Sequence, residues 1–226
     1  MQSIVAVVPM KLNNTRLPQK NTKPFTNGEP LCTYILNTLL SIEAIQKVYV
    51  YCSNEEIRRF LPEGVHYLKR SANLDQDSTK MNEVLGCFAK DVPSDIYVMT
   101  HTTAPFITAK SIRRGIEAVA GGEYDSSLAV KPIQDFLWKD GAPFNYRLDA
   151  IPRTQDIPPI YEETSGFYIY RSEVINEKHR RIGDHPFLVE VGEIESIDID
   201  EPEDFMIADA VYNYLKGYHQ QPKNGG

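Results

Sequence analysis

Three short apolar runs, Ser3–Pro9 (SIVAVVP), Val48–Cys52 (VYVYC) and Ile96–Thr100 (IYVMT), constrain this chain more than any other feature. Runs this short and this continuous are what strands buried on both faces of a parallel sheet look like. Val65–Leu68 reads as a further strand. Between them lie segments of helical period: Leu31–Ile42, the short Asn54–Leu61, and Met81, Val84, Leu85, Phe88, Ala89 and Val92 on one helix face. Ile112, Ile116 and Val119 mark another helix, which Gly121-Gly122 stops. Strand and helix alternate through about residue 122, which argues for an α/β fold, a doubly wound and mostly parallel sheet with right-handed crossovers. Ligands of such sheets bind beyond the carboxyl ends of the strands.

The pattern changes after Ser126. Residues 126–170 are rich in Pro, Tyr and short β-like runs, with Asp140-Gly141 as a hairpin turn, and read as a β-rich excursion that covers a site or makes a dimer contact. The chain is expected to return to the sheet as a strand over Glu195–Asp200 (ESIDID). It then ends in a helix started by Glu201-Pro202. This organisation is a single domain over residues 1–218, followed by a flexible tail over 219–226.

Composition limits the partners. The 226 residues carry a net charge of −7, which disfavours nucleic acid and anionic membranes. No stretch reaches the roughly 18 apolar residues of a membrane span, and no charged segment precedes the first strand, so no signal peptide is expected and a cytoplasmic protein is. Cys32, Cys52 and Cys87 are odd in number, far apart and set in apolar runs, so they read as reduced core residues.

In this acidic chain the first strand runs straight into a loop, Pro9 to Asn21, holding Lys11, Arg16 and Lys20 among the small polar residues Asn13, Asn14 and Thr15. Fixed cations with backbone N–H groups and hydroxyls between them suit a triphosphate. The loop has no glycine and is not a P-loop. Near the other end of the chain, Asp198 and Asp200 stand two apart. On a strand they would share a face, and two converging carboxylates suit Mg²⁺, which takes its other ligands from water and phosphates. A competing role for Asp200 is to cap the last helix together with Glu203, and for Asp204 to favour that helix's dipole.

These residues carry a resemblance. V-P-M-K-x(4)-R-L-P-x-K-N resembles the N-terminal motif of the CMP-sugar-acid synthetases, the acylneuraminate and Kdo cytidylyltransferases, with Lys11 where Arg is usual. Arg70–Ser78 (RSANLDQDS) is similar to their cytosine-pocket segment, and His101–Phe106 (HTTAPF) to Q-P-T-S-P-L. Pro152–Gln155 with Thr164–Ile169 is similar to P-R-Q…N-G-A-x-Y-I, and Ile197–Asp200 with Asp204 to I-D-I-D…D. The match runs in order from Val5 to about Ala208 and implies a nucleotide-diphospho-sugar transferase-like fold.

The activity implied is transfer of CMP from CTP to an acidic acceptor, with release of pyrophosphate. The acceptor implied is a 2-keto-3-deoxy sugar acid of sialic, legionaminic, pseudaminic or Kdo type. Arg16, Lys20, Asp198 and Asp200 are implied as catalytic, the two aspartates holding Mg²⁺ or alternatively Mn²⁺. Pro9, Lys11, Asn13, Asn14, Thr15, Asn21, Arg70, Asp77, Ser78 and Thr79 join Arg16 and Lys20 around the nucleotide. His101, Thr103, Lys139, Arg153, Gln155, Thr164 and Ser165 face the acceptor, Arg153 and Lys139 gripping its carboxylate. A homodimer is implied, its partner supplying part of the acceptor pocket.

The departures fall on the acceptor side. His101 replaces Gln, Thr164-Ser165-Gly166 replaces N-G-A, and the acids Glu162-Glu163 stand as solvated surface or face an amine or the partner's basic residues. Phe136, Trp138, Phe144 and Tyr146 read as a dimer or core cluster, and Arg180-Arg181 as a solvated pair by default, with reach into the site from the partner subunit as the alternative. The alternatives are a non-sugar acid or phosphonate as acceptor, a glycosyltransferase using Asp198-Ile199-Asp200 as its D-x-D, and an inactive nucleotide-binding homologue.

Overall fold

A computed structural model describes residues 2–14 and 16–220. In chain order the elements are β1 (Ile4–Met10), α1 (Leu31–Leu40), β2 (Lys47–Cys52), β3 (Val65–Lys69), α2 (Met81–Asp91), β4 (Ile96–Thr100), α3 (Ala109–Ala120), β5 (Ser126–Ile133), β6 (Trp138–Lys139), β7 (Ala142–Pro143), β8 (Ile160–Arg171), α4 (Ser172–Asn176), β9 (Pro186–Glu190) and α5 (Pro202–Gln220). The main sheet has the order β3-β2-β1-β4-β8-β5-β9. Its β3-β2, β2-β1, β1-β4 and β5-β9 pairs are parallel, while β8 runs antiparallel between β4 and β5.

The all-apolar strands are buried because helices cover both faces. Along β1, Ile4, Ala6, Val8 and Met10 pack with Ile35, Leu36 and Leu39 of α1 and Ile112, Ile116 and Val119 of α3. Val5 and Val7 point the other way, toward Val84, Leu85 and Phe88 of α2 and Val174 and Ile175 of α4. A third cluster joins Leu17 and Phe25 of the cationic loop to Ile199 and to Phe205 and Ala208 of α5. This last cluster carries function, because it pins the loop after β1 to the segment holding the two aspartates.

Two expectations about the chain's second half are corrected. Residues 195–200 are not a strand. The segment follows a turn, and its backbone bond to the sheet region is Ile199 N–H to the Thr103 carbonyl (2.9 Å), with Ile199 buried. Side-chain bonds hold it in place of a ladder: Glu195 accepts from the Thr108 N–H (2.9 Å) and the Ser111 hydroxyl (2.7 Å), and Lys20 donates to the Ile199 carbonyl (2.8 Å). The strand in this region is β9, at the sheet edge, where Val189 alone is fully buried and the apolar pattern is correspondingly weak. The span 126–170 is likewise not wholly an excursion, since β5 and β8 form the sheet's interior and only residues 134–159 leave it.

Within those residues β6 and β7 form the expected hairpin, with Asp140 and Gly141 both at positive φ (52° and 79°), as a tight two-residue turn requires. Phe136 and Tyr146 pack with tilted rings, centroids 4.7 Å apart, and Phe136, Trp138, Phe144, Leu148 and Ile151 are exposed. Helix α5 continues to Gln220, beyond the expected boundary, and the remainder of the expected tail lies outside the described residues. No described helix is long and apolar enough to cross a membrane. Cys32 and Cys52 are buried and Cys87 half-buried, all three free thiols.

Candidate active site

At the carboxyl ends of β1 and β4 the chain opens a cleft of about 470 Å³. The loop after β1 forms one wall. Asn21 ties it down, its amide donating to the Lys11 carbonyl (2.7 Å) and its carbonyl oxygen accepting from the Thr102 hydroxyl. Lys20 is buried, an unusual position for a lysine, and donates to the Ile199 carbonyl (2.8 Å) and to Asp200 Oδ1 (3.1 Å). Arg16 reaches the same carboxylate (2.8 Å) and Glu201 (3.3 Å). Burial opposes the Asp200 charge, but the bonds from Lys20 and Arg16 outweigh it and hold its carboxyl below the ordinary range. Lys11 bridges to Asp77 (3.0 Å) across the cleft mouth.

Asp198 faces the same space. One of its oxygens accepts from Ser165 (2.8 Å), and the other is buried with no partner among the described residues. Asp204, not Asp200, caps the last helix: its carboxylate accepts the backbone N–H groups of Asp200 (2.9 Å) and Glu201 (2.8 Å). That leaves both Asp198 and Asp200 turned to the cleft although they lie on no strand. Among the described residues no three His, Cys, Asp or Glu side chains converge as a ready-made metal cage. Two hard carboxylates, one with an orphaned buried oxygen, fit Mg²⁺, which draws most of its shell from water and substrate phosphates.

His101 lies in the cleft beside Thr103. Burial, then the charges of Arg181 and Lys20, push its pKa down to about 4 against a smaller opposing effect of Asp200, so the imidazole is neutral near pH 7.

A second hollow of about 200 Å³ adjoins the cleft, with Pro9, Lys11, Asp77 and Met81 common to both. Arg70 and Thr79 line it. Arg70 is almost fully buried, and its guanidinium donates twice to Asp75 Oδ1, from Nη2 (2.6 Å) and Nε (3.1 Å). Ser53 donates to the other oxygen of Asp75. The pair is therefore an interior ion pair inside the hollow, not a surface salt bridge.

The cleft thus brings together Pro9, Lys11, Asn14, Arg16, Lys20, Asn21, Asp77, His101, Thr103, Ser165, Asp198 and Asp200, with Arg70 and Thr79 next door. Other expected site residues lie elsewhere. Asn13 and Ser78 are exposed and line neither hollow, and Thr15 lies outside the described residues. Thr164 is buried on the opposite side of β8 from Ser165, its hydroxyl bound to the Ala129 carbonyl (3.0 Å), because successive residues of a strand face opposite ways. Lys139 is exposed on β6, Gln155 is exposed in the arm formed by residues 134–159, and Arg153 is occupied by Asp156 (2.8 Å); none lines the cleft.

Sequence reasoning missed Asp75, whose only signal was an acid five residues after Arg70 across a short 3₁₀ turn. It also misread Arg181 as solvated. Its guanidinium lies 3.9 Å from the centre of the Tyr168 ring and meets Glu163 at 3.5 Å. Glu162 instead pairs with Lys131 (3.5 Å).

A mostly parallel α/β sheet whose strand ends carry a cationic loop opposite paired carboxylates defines a nucleotide-handling transferase. The sequence profile of the cytidylyltransferase family matches residues 5–217, and the chain belongs to that family. Its sequence is 25% identical over 223 residues to CMP-N,N'-diacetyllegionaminic acid synthase of Legionella pneumophila subsp. pneumophila, covering 91% of this chain and 94% of that protein. The fold is similar to a structure of CMP:2-keto-3-deoxy-manno-octonic acid synthetase complexed with CTP (TM-score 0.71, 15% identity, 94% of this chain and 99% of the other). It is also similar to 4-diphosphocytidyl-2C-methyl-D-erythritol synthase from Anaerococcus prevotii (TM-score 0.67, 13% identity, 94% and 96%).

Proposed function

We propose that the chain transfers the CMP moiety of CTP to the hydroxyl of an acidic acceptor, a 2-keto-3-deoxy sugar acid, and releases pyrophosphate. The observation that carries this reading is the meeting of Lys11, Arg16 and Lys20 with Asp198 and Asp200 in one cleft. The family match and the legionaminic-acid relative support it.

The acceptor oxygen attacks the α-phosphorus as the bond to the β-phosphate breaks. Such transfer asks a protein mainly for positioning and for neutralising charge. Lys11, Arg16 and Lys20 hold the β- and γ-phosphates, and Lys20, buried and doubly bonded, has almost no freedom to lose on binding. Asp198 and Asp200 would hold Mg²⁺, with Mn²⁺ as the alternative; bound there, the ion would supply Lewis-acid charge that neutralises phosphate and makes the acceptor hydroxyl more acidic. Arg70, fixed by Asp75, reads the cytidine in the adjoining hollow. His101, neutral and too weakly basic to keep the acceptor's proton, serves as a hydrogen-bonding contact to the acceptor.

The exposed aromatic and aliphatic residues of 134–159 form the contact of a homodimer, which is how Lys139 and Arg153 reach an acceptor. The protein works in the cytoplasm, where CTP is available.

The direct test measures pyrophosphate release from CTP, ATP, GTP and UTP with Mg²⁺ and a panel of acids including Kdo, N-acetylneuraminate, legionaminate, pseudaminate and small phosphonates. Release with CTP and one sugar acid is expected. Turnover with a phosphonate alone would move the acceptor outside the sugar series, and failure to bind CTP at all would sink the reading.

A further inference from the structure

Beside the cleft lies a third hollow of about 420 Å³, with Met81 at its border with both the cleft and the cytidine hollow, that none of these roles uses. Lys80, Arg180 and Arg181 line it, and Met81 is shared with the cleft. It is a concentration of cations in a chain whose net charge is −7.

Arg181 is held there in advance of any ligand. Its guanidinium packs over the Tyr168 ring, Glu163 takes one of its N–H groups, and the Tyr168 hydroxyl fixes Glu163 in turn (2.6 Å). A planar fork already stacked and oriented loses little entropy when it grips an oxyanion. Arg180 is tied to Asp184 through one end, while its Nε is buried without a partner among the described residues. A buried donor left unmade is costly, and an incoming oxygen would satisfy it.

The loop that presents both arginines is itself anchored. Asp125 accepts the backbone N–H groups of Asp184 (2.8 Å) and His185 (3.1 Å), and Ser126 accepts that of Gly183 (2.8 Å). Gly183 comes so close to Asp125 that a Cβ there would collide with the carboxylate. Arg181 meets Glu163, two residues along β8 from the cleft-lining Ser165, and Met81 lines both spaces, so the hollow adjoins the Ser165 side of the cleft.

We propose that this hollow, centred on Arg181, is the docking site for the acceptor's own acid group, a carboxylate or phosphate-type oxyanion gripped by Arg181 and flanked by Lys80 and Arg180. The inference rests on the cytidylyl-transfer reading and deepens it: the acid is read within one protomer, while Arg153 of the same protomer is exposed and already paired.

Calorimetry tests it with two probes, inorganic phosphate and pyruvate, titrated into the Mg²⁺-containing protein after CTP has saturated the triphosphate site. At least one probe is expected to bind, and Arg181→Gln to weaken it by at least about tenfold, as loss of a charge-assisted fork does. CTP affinity should stay within about twofold, since Arg181 lies outside both the cleft and the cytidine hollow. Arg181→Lys, which keeps the charge but not the fork, should weaken the probe to an intermediate extent, and it carries the test should the glutamine variant lose CTP binding through misfolding. Phosphate preferred over pyruvate would assign a tetrahedral acid, and the reverse a carboxylate. Absence of binding by both probes with CTP in place, or binding indifferent to Arg181, overturns the docking site alone. Failure of CTP itself to bind overturns the cytidylyl-transfer reading and this site with it.

Discussion

The proposed nucleotide side of the cleft and the proposed acceptor side are built in different ways. The first draws its phosphate-facing cations from one loop of about a dozen residues, with Arg70 in the adjoining hollow coming from beyond β3, locks that loop through Asn21, Leu17 and the nearby Phe25, and sets it against a single carboxylate-bearing segment. The second gathers Ser165 and Glu163 from β8, His101 from the end of β4 and Arg181 from the loop before β9, while residues 134–159 stand away from the sheet with their apolar side chains exposed. A fixed nucleotide site thus faces an acceptor site assembled from distant pieces, which can change without disturbing the first.

That contrast is breakable. Lys20→Ala should cut kcat/KM for CTP by about 10³-fold, because a preorganised donor to developing charge is lost and Asp200 loses its buried partner. Pyrophosphate release under saturating acceptor measures it, and a loss under tenfold would mean that the nucleotide side is not fixed by this lysine. Asp75→Asn should come next, lowering stability by about 3 kcal/mol and raising the KM for CTP more than it changes kcat, since Arg70 would be left buried with half a partner. Chemical denaturation with steady-state kinetics checks both parts.

His101 probes the boundary between the two sides. Its folded pKa of about 4 lies below the ordinary 6.5, so below pH 6.5 the unfolded chain takes up a proton that the folded chain refuses. Stability should therefore fall as pH drops from about 6.5 to about 4, by about 2 kcal/mol once screening at the cleft mouth is allowed for. His101→Gln should remove that segment of the stability–pH curve, which urea titrations across this range would reveal. On the arm, Trp138→Ser with Phe144→Ser should shift sedimentation from dimer to monomer and leave CTP affinity within about twofold, these residues being remote from the nucleotide cleft. The smallest effect belongs to Arg147→Ala, whose fully exposed pairing with Asp149 is screened by solvent, so the melting temperature should not change measurably.

How far the sequence could be read follows the same division. The buried strands β1, β2 and β4 were legible because a strand covered on both faces must be apolar at every position. β9 was not, since an edge strand with one fully buried residue shows little pattern. β8 ends in buried Phe167–Tyr170 but begins with exposed Tyr161 and the two glutamates, so it read as part of an excursion although it sits between β4 and β5. Asp198 and Asp200 both line the cleft while the strand expected to orient them does not exist, because a loop held by buried Ile199, by Glu195 at the start of α3 and by Lys20 can aim two carboxylates equally well.

By itself the sequence determined the alternating sheet and helices, the loop of cations after the first strand and the pair of acids near the end. Each of these is written in residues close together in the chain, where burial and charge density leave a local pattern. Tertiary structure alone decided that Asp204 rather than Asp200 caps the last helix, that Asp75 holds Arg70, and that Thr164 turns away while Ser165 turns in. It also decided that Arg181 lies stacked beside the cleft. The physical reason is common to these cases: a charged or hydroxyl side chain takes its role from the partner that desolvation forces it to find, and apart from Arg70 with Asp75 and Asp204 with its own helix start that partner is set by packing between segments far apart in sequence.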